Sequence, residues 1–319
     1  MGHSRNHVTH EILVGDCLKK LKEIESRSIQ TVVTSPPYFK LRNYGHDDQI
    51  GQEDSPGEYI SALVGVFREI RRVLKDDGTA WLNIGDSYVP TKSKTLGKLK
   101  AKDLFGFPHR VAFALQDDGW YLRSEIIWHK PNPMPESVTD RPSRNHEMMF
   151  MLTKNAKYYY DCDAIRKPMK SDTPQNRRDI ERMRQGRREF DGKRKIAGKG
   201  AGQNAFIAGD IEKGRNARTV WTITTKPVRG AHFAVFPPEL VEPCILAGSA
   251  VGDTVLDPFA GSGTTLGVAV KHGRHAVGIE LNPEYAALIP ARIEKICGHK
   301  VQKDTTIIPP PTFDTLFGE

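Results

Sequence analysis

One stretch restricts the fold more than any other. Residues 253–256 read as an apolar strand, 257–263 as a turn bearing two glycines, 264–271 as a helix, 275–279 as a second strand and 283–296 as a helix. Strands joined through a helix lie side by side and parallel, and a parallel sheet must be covered on both faces. The expected fold is therefore α/β: a mostly parallel, twisted sheet with helices on both faces. The first half carries the same alternation less evenly. Strands are expected at 11–14, 29–33, 79–84 and 121–128, and helices after Asp16, from Ser55 to Leu74, and over 108–115. Asp16 is placed to cap the first helix and Asp77-Gly78 to stop the second. Residues 147–152 and 158–160 suggest a hairpin, and the Pro- and Thr-rich sequence past Lys300 a tail. Three strands finish in small or polar residues, at Gly15-Asp16, Ser35-Pro36-Pro37 and Gly85-Asp86, and in open α/β sheets ligands bind at that end.

Charge divides the chain unequally. Residues 166–218 hold 16 Lys or Arg against 7 Asp or Glu, an excess larger than the net +8 of the whole chain. Apolar content collapses over 171–216, so this basic segment reads as an irregular insertion between two ordered parts. Its arginines point to nucleic-acid phosphates rather than to a solvated face. Residues 1–10 are polar and no apolar run approaches a membrane span, so a cytoplasmic protein without a membrane partner is expected. Cys17, Cys162, Cys244 and Cys297 are scattered, without a Cys-x-x-Cys pair, which argues against a disulfide framework or a structural zinc site. His3, His7 and His10 read as a polar terminus, and no metal is expected.

Two motifs carry chemistry. The first is Thr34-Ser35-Pro36-Pro37-Tyr38, following the β-branched run of Thr31, Val32 and Val33. Two prolines cannot extend a sheet ladder, so the chain halts at the strand end. They also donate no hydrogen bond, which leaves carbonyls and the Ser35 hydroxyl as an acceptor-weighted cluster beside the Tyr38 ring. Such a site suits a planar amine. The second is Asp257-Pro258-Phe259-Ala260-Gly261-Ser262-Gly263-Thr264-Thr265, with Glu280 at the tip of the next strand. Glycines there let the backbone approach a ligand, and the acidic residue is placed to take ribose hydroxyls. No lysine is present to hold a β- or γ-phosphate, and Asp257 would repel polyphosphate. A nucleoside cofactor with a positive charge fits better.

Together, and in this order, the motifs resemble the DNA amino-methyltransferases that use S-adenosylmethionine. In that family an Asp-Pro-Phe-x-Gly-x-Gly-Thr-Thr loop holds the cofactor and an (Asn/Asp/Ser)-Pro-Pro-(Tyr/Phe) loop holds the target base. Here the base loop comes first and the cofactor loop last, with a target-recognition region between, which resembles the permuted order of the β class. The resemblance implies a Rossmann-like methyltransferase fold. Its catalytic half spans 11–165, the basic target-recognition insertion 166–218, the cofactor-binding half of the same domain 219–300, and the tail 301–319. It assigns catalysis to Ser35, Pro36, Pro37 and Tyr38. It assigns the cofactor to Asp16, Asp257, Phe259, Gly261, Ser262, Gly263, Glu280 and Asn282, with His232 and Phe233 closing over the methionine part. Trp128 is by default a core or edge aromatic, its place just before a turn making it a candidate second wall for a flat ligand, and Arg177, Arg178, Arg187, Arg188, Lys193 and Arg194 are expected as DNA contacts.

The implied reaction needs acceptors because an exocyclic amine's lone pair is delocalised into its ring. The Ser35 hydroxyl and Pro36 carbonyl would take the two amine hydrogens and aim the lone pair at the methyl group. No cysteine lies in the Pro-Cys setting that carbon-5 cytosine methylation demands. Within the family, serine before Pro-Pro resembles cytosine-N4 enzymes and aspartate adenine-N6 enzymes, so cytosine-N4 is favoured while adenine-N6 stays open. The implied partners are double-stranded DNA, a second copy of the chain and a cognate restriction enzyme. Methyltransferases acting on RNA or protein glutamine carry similar loops but usually place the cofactor loop first. A catalytically silent DNA-binding regulator is a third reading, disfavoured by the joint presence of Ser35, Tyr38, Asp257 and Glu280.

Overall fold

The computed structural model describes residues 8–41, 49–91, 98–168, 214–225, 236–300 and the backbone of 305–308. Among them one sheet is built from β1 (His10–Val14), β2 (Ile29–Thr34), β3 (Leu74–Ile84), β4 (Tyr121–His129), β5 (His146–Thr153), β6 (Val220–Thr222), β7 (Thr254–Asp257), β8 (His275–Glu280) and β9 (Thr305–Ile308). Its order is β6-β4-β5-β3-β2-β7-β8-β1-β9. β5 runs antiparallel to both neighbours, and every other pairing is parallel. The helices are α1 (Cys17–Glu23), α2 (Pro56–Val73), α3 (Phe107–Asp117), α4 (Pro238–Gly248), α5 (Thr264–Lys271), α6 (Pro283–Ala286) and α7 (Ile289–Cys297). Contacts divide the chain into two compact units, one of Met1–Tyr160 with Thr219–Glu319 and one of Asp161–Arg218. In the second, a 3-10 turn at Asp163–Ile165 and a bridge between Lys167 and Arg215 are described.

Strand alternation explains how both faces are covered. Val32 on β2 joins the apolar cluster that includes Leu21 of α1, Phe67 of α2 and Val111 of α3. Thr31, one residue away and so on the opposite face, lies against Gly248 of α4, where a Cβ would come within 2.6 Å of its Oγ1. Thr31 and Thr79 bond each other at 2.9 Å, which lets two polar side chains be buried there. α1 begins where expected, with Asp16 accepting from the Lys19 N–H. α2 carries a capping box between Ser55 and Glu58 and buries Tyr59, Leu63, Val66, Phe67, Ile70 and Val73 along one stripe.

Four expectations are corrected. α2 stops at Val73, and Asp77-Gly78 lies inside β3. The ladder passes from Ile29 opposite Leu74 to Thr31 opposite Thr79, so residues 75–78 loop out. Gly78 is required because a Cβ there would meet Leu74 Cδ2 at 2.9 Å and the Gln30 carbonyl at 3.0 Å. Residues 158–160 form no strand; β5 pairs with β4 and β3 instead. The helix expected over 283–296 is two, because Pro290 has no N–H to give the Ala286 carbonyl and instead opens α7. The tail past Lys300 contributes β9, which pairs with β1. No helix of the described residues is long and apolar enough to cross a membrane.

Candidate active site

Parallel strands end on one edge. The carboxyl ends of β1, β2, β3, β7 and β8 therefore bring Gly15-Asp16, Ser35–Tyr38, Gly85-Asp86, Asp257–Gly263 and Glu280 to a common rim. β5 runs the other way, so its first residues reach the same rim, with Glu147 opposite Trp128. β2 and β7 are neighbours, Val32 beside Leu256, so the two motif loops leave the sheet from adjacent strands.

Asp257 joins those strands. Its Oδ1 accepts from Thr34 Oγ1 at 2.7 Å and from the Phe259 N–H at 3.1 Å, and its Oδ2 accepts from Thr265 Oγ1 at 2.7 Å. The side chain is 1 % exposed. Burial pushes its carboxyl up to about 6, and the three hydrogen bonds hold it from going further. Asp257 was expected around the cofactor; the structure places its carboxylate inside the protein as the tie between β2, β7 and α5.

Glu280 stands at the rim beside the glycine loop. Its Oε2 accepts from the Gly261 N–H at 2.8 Å and its Oε1 from the Asn282 N–H at 2.9 Å. Burial pushes its carboxyl up to about 7, those N–H groups opposing and the Asp257 charge adding. Asp16 lies one strand over, since Val14 pairs with Glu280 and the Gly15 N–H bonds the Glu280 carbonyl. The Asn282 side chain caps α6 by accepting from the Glu284 N–H at 2.8 Å. Phe259 packs partly buried on the core. Gly261 has φ +52°, and among the described residues no heavy atom comes closer than 4.0 Å to a would-be Cβ. Gly263 has φ +82° and a Cβ there would strike Ile289 at 2.5 Å, which fixes the loop against α7. Ser262 Oγ and Thr264 Oγ1 are buried and find no hydrogen-bond partner among the described residues. Unpartnered hydroxyls beside a glycine loop, with a carboxylate across from it, fit a polar ligand carrying ribose hydroxyls.

The other loop is equally constrained. The Pro37 carbonyl accepts from Tyr59 Oη at 2.9 Å, so it is engaged; no donor among the described residues reaches the Pro36 carbonyl. The Ser35 hydroxyl stands 3.5 Å from Tyr38 Oη, at the long limit of a hydrogen bond. Tyr38 Oη donates to Glu147 Oε2 at 2.8 Å, and Glu147 Oε1 pairs with Lys130 Nζ. Burial, and then the Glu147 charge, raise the Tyr38 phenol well above its ordinary range, so it stays a donor. Its ring lies where a Cβ on Gly85 would come within 2.6 Å of Cε2.

Trp128 takes its default place as a core aromatic and not that of a second wall. It is 3 % exposed, its indole N–H donates to the Ile223 carbonyl at 2.9 Å, and Lys130 Nζ sits 4.2 Å from its ring centre. It is an interior support, not a surface for DNA. Asn132 exchanges two hydrogen bonds with the Thr225 backbone, both 3.0 Å, and so closes the loop after β4 against the segment after β6. His232, Phe233, Arg177, Arg178, Arg187, Arg188, Lys193 and Arg194 lie outside the described residues. Sequence reasoning placed Thr34, Thr265 and Gly85 in the motifs and strand ends without giving them a role, and missed Lys130 and Glu147. Glu147 carried a legible signal: a carboxylate opening an otherwise apolar strand. A cleft of about 540 Å³ lined by Arg27, Arg68, Arg71, Arg72 and Lys154 lies at the opposite, amino-terminal edge of the strands and has no part in this rim.

Comparison with known proteins agrees with this architecture. The DNA methylase family N6_N4_Mtase matches residues 29–290. The chain is 46 % identical over 298 residues to the Type II methyltransferase M.Cfr9I of Citrobacter freundii, covering 88 % of this chain and 86 % of that protein. Against M.SmaI of Serratia marcescens it is 46 % identical over 301 residues, covering 89 % and 90 %. A DNA modification methylase of Thermus thermophilus, solved in complex with S-adenosyl-L-methionine, superposes with a TM-score of 0.59 at 26 % identity over 94 % of this chain and 99 % of that one. The cytosine-N4-specific PvuII DNA methyltransferase shares the fold, with a TM-score of 0.61 at 19 % identity over 95 % and 96 %.

Proposed function

This chain belongs to the N6/N4 DNA methylase family and is an S-adenosylmethionine-dependent DNA methyltransferase of type II kind, and from that premise we propose that its target is the N4 amine of a cytosine turned out of duplex DNA. The observation that carries the proposal is the tie between Thr34 and Asp257, which sets a Ser-Pro-Pro-Tyr loop and a glycine loop on neighbouring strands. Serine at position 35, where aspartate would resemble the adenine-N6 members, supports cytosine over adenine.

The residues that would hold the cofactor are Gly261, Ser262, Gly263 and Thr264 in the loop, Phe259 beside it, and Glu280 with Asp16 on the adenosine. When bound, the cofactor supplies an electrophilic methyl on a sulfonium. The chain supplies the rest. Ser35 Oγ and the Pro36 carbonyl accept the amine's two hydrogens, drawing its lone pair out of conjugation and fixing its direction. Extruding the base costs about a few kcal/mol, and stacking on Tyr38 returns roughly 1–3 of them. No covalent bond between enzyme and base is needed. His232 and Phe233 would close over the methionine part. Residues 166–218, with Arg177, Arg178, Arg187, Arg188, Lys193 and Arg194, would track phosphates of double-stranded DNA and set sequence preference. A restriction enzyme of the same specificity is the partner this activity would protect against.

Purified protein, duplex DNA and cofactor with a labelled methyl group test the proposal. Base-resolved sequencing should find the label on N4 of cytosine at one sequence. Label on adenine N6 would overturn the choice of base, and no label on DNA would overturn the reading as a whole.

A further inference from the structure

Tyr38 is held from outside its own loop. A continuous series of contacts runs from the Ile223 carbonyl to the Trp128 indole N–H, from the Trp128 ring to the Lys130 ammonium, from Lys130 to Glu147, and from Glu147 to Tyr38 Oη. Glu147 and Lys130 are both largely buried, at 17 % and 18 % side-chain exposure, so the pair is screened little by solvent. Each of the two Glu147 oxygens has one partner, which leaves the carboxylate no freedom to leave the tyrosine without abandoning the lysine. The Tyr38 ring has a second constraint in the slot over Gly85. No aromatic ring of the described residues stacks on the Tyr38 ring, which packs partly buried against the core.

Resting on the proposed function above, we propose that Glu147 and Lys130 are the positioning residues of methyl transfer: by anchoring Tyr38 Oη they present the ring as a fixed plane against which the extruded base is aligned. Neither touches base or cofactor. A tyrosine hinged only at its own Cα–Cβ and Cβ–Cγ bonds would sweep an arc through the rim. A hydroxyl bonded to an ionised acceptor, itself pinned by an ammonium, removes that arc. The clamp therefore bears on turnover, where the angle of the base matters, and leaves cofactor affinity alone.

The test compares Tyr38→Phe, Glu147→Gln and their combination in the full chain, on a duplex whose methylated site has first been mapped with wild type. Tyr38→Phe and Glu147→Gln should each lower kcat about tenfold, the scale of one hydrogen bond to a charged group. KM for DNA and cofactor affinity should stay within about twofold. The double variant should lose no more than Tyr38→Phe alone, and pyrrolocytosine at the target position should report a less uniformly stacked base in all three. Lys130→Met should behave like Glu147→Gln, with Lys130→Arg restoring turnover. Losses that multiply in the double variant, an equal fall in cofactor affinity, or unchanged turnover in Tyr38→Phe would each overturn the clamp. Should Glu147→Gln fail to fold, Tyr38→Phe reads the same contact from its other end. Wild type that methylates no duplex would overturn the functional reading and the clamp with it, whereas active wild type and an equally active Glu147→Gln would overturn the clamp alone.

Discussion

Thr34 Oγ1 and Asp257 Oδ1 lie 2.7 Å apart although 223 residues separate them in the chain. The bond is wholly buried and Thr265 Oγ1 holds the other carboxylate oxygen, so one hydroxyl ties the strand carrying the Ser-Pro-Pro-Tyr loop to the strand carrying the glycine loop. Thr34→Val keeps the volume and deletes the donor. It should destabilise the protein by about 1–3 kcal/mol, the range for leaving a buried acceptor short of a partner. Urea unfolding of the two proteins measures this, and coincident midpoints would remove the tie from the stability of the fold.

Tyr38→Ala takes away the proposed stacking plane without touching the glycine loop. Turnover should fall by roughly tenfold to a hundredfold, the equivalent of 1–3 kcal/mol of stacking, while cofactor binding holds. Single-turnover methylation and calorimetric binding read the two effects separately. Unchanged methylation would take Tyr38 out of the site.

Glu280 gives the site a pH dependence of known sign. Its folded-state pKa is raised from 4.5 to about 7, so across that interval the folded protein binds more protons than the unfolded chain. Stability without cofactor therefore falls as pH rises from about 4.5 to 7. In the proposed site ribose hydroxyls would donate to the ionised carboxylate, so cofactor affinity would run the other way and should be roughly tenfold stronger at about pH 8 than at about pH 6. Glu280→Gln should flatten the affinity curve and, in the stability curve, leave the fall below about pH 6 that the raised Asp257 carboxyl contributes. A wild-type affinity that ignores pH would place the ribose elsewhere.

Two glycines of one loop should fail differently. At Gly263 an added methyl meets Ile289 at 2.5 Å with φ at +82°, so Gly263→Ala should cost about 1–3 kcal/mol in folding. At Gly261 the added methyl meets no described atom inside 4.0 Å, so Gly261→Ala should cost only about 1 kcal/mol in folding and show instead as weakened cofactor binding. Thermal unfolding with and without cofactor separates them, and equal losses in both assays would contradict the geometry.

Replacing Arg177, Arg178, Arg187 and Arg188 with glutamine tests the basic insertion. Each lost phosphate contact should lower the slope of log affinity against log salt by about 0.9. Filter binding or fluorescence anisotropy over a salt series gives the slope directly. A slope equal to wild type would show that these side chains do not neutralise phosphates.

Much of the rim was legible because strand ends announce themselves locally. The prolines at 36 and 37, the glycines at 261 and 263 and the cap at Asp16 each follow from the conformational limits of the residue concerned. What was not legible is what depends on distant partners. Asp257 looked like a ligand group because nothing in its own segment reveals Thr34, and Trp128 looked available because its cover, Lys130 and the Ile223 carbonyl, comes from the turn after β4 and from beyond β6. Glu147 was passed over within a run of apolar residues whose antiparallel direction, which brings it to the rim, is set by neighbours and not by its own sequence.

The adjacency of β2 and β7 also has a temporal side. A ribosome adding about 5–20 residues per second makes Asp257 roughly ten to forty-five seconds after Thr34. Throughout that interval β2, buried along its whole length in the finished protein, has one flank with nothing to pair to. Nascent chains arrested before Thr254 should consequently be sticky and dependent on chaperones, and release from that dependence should coincide with the emergence of the glycine loop.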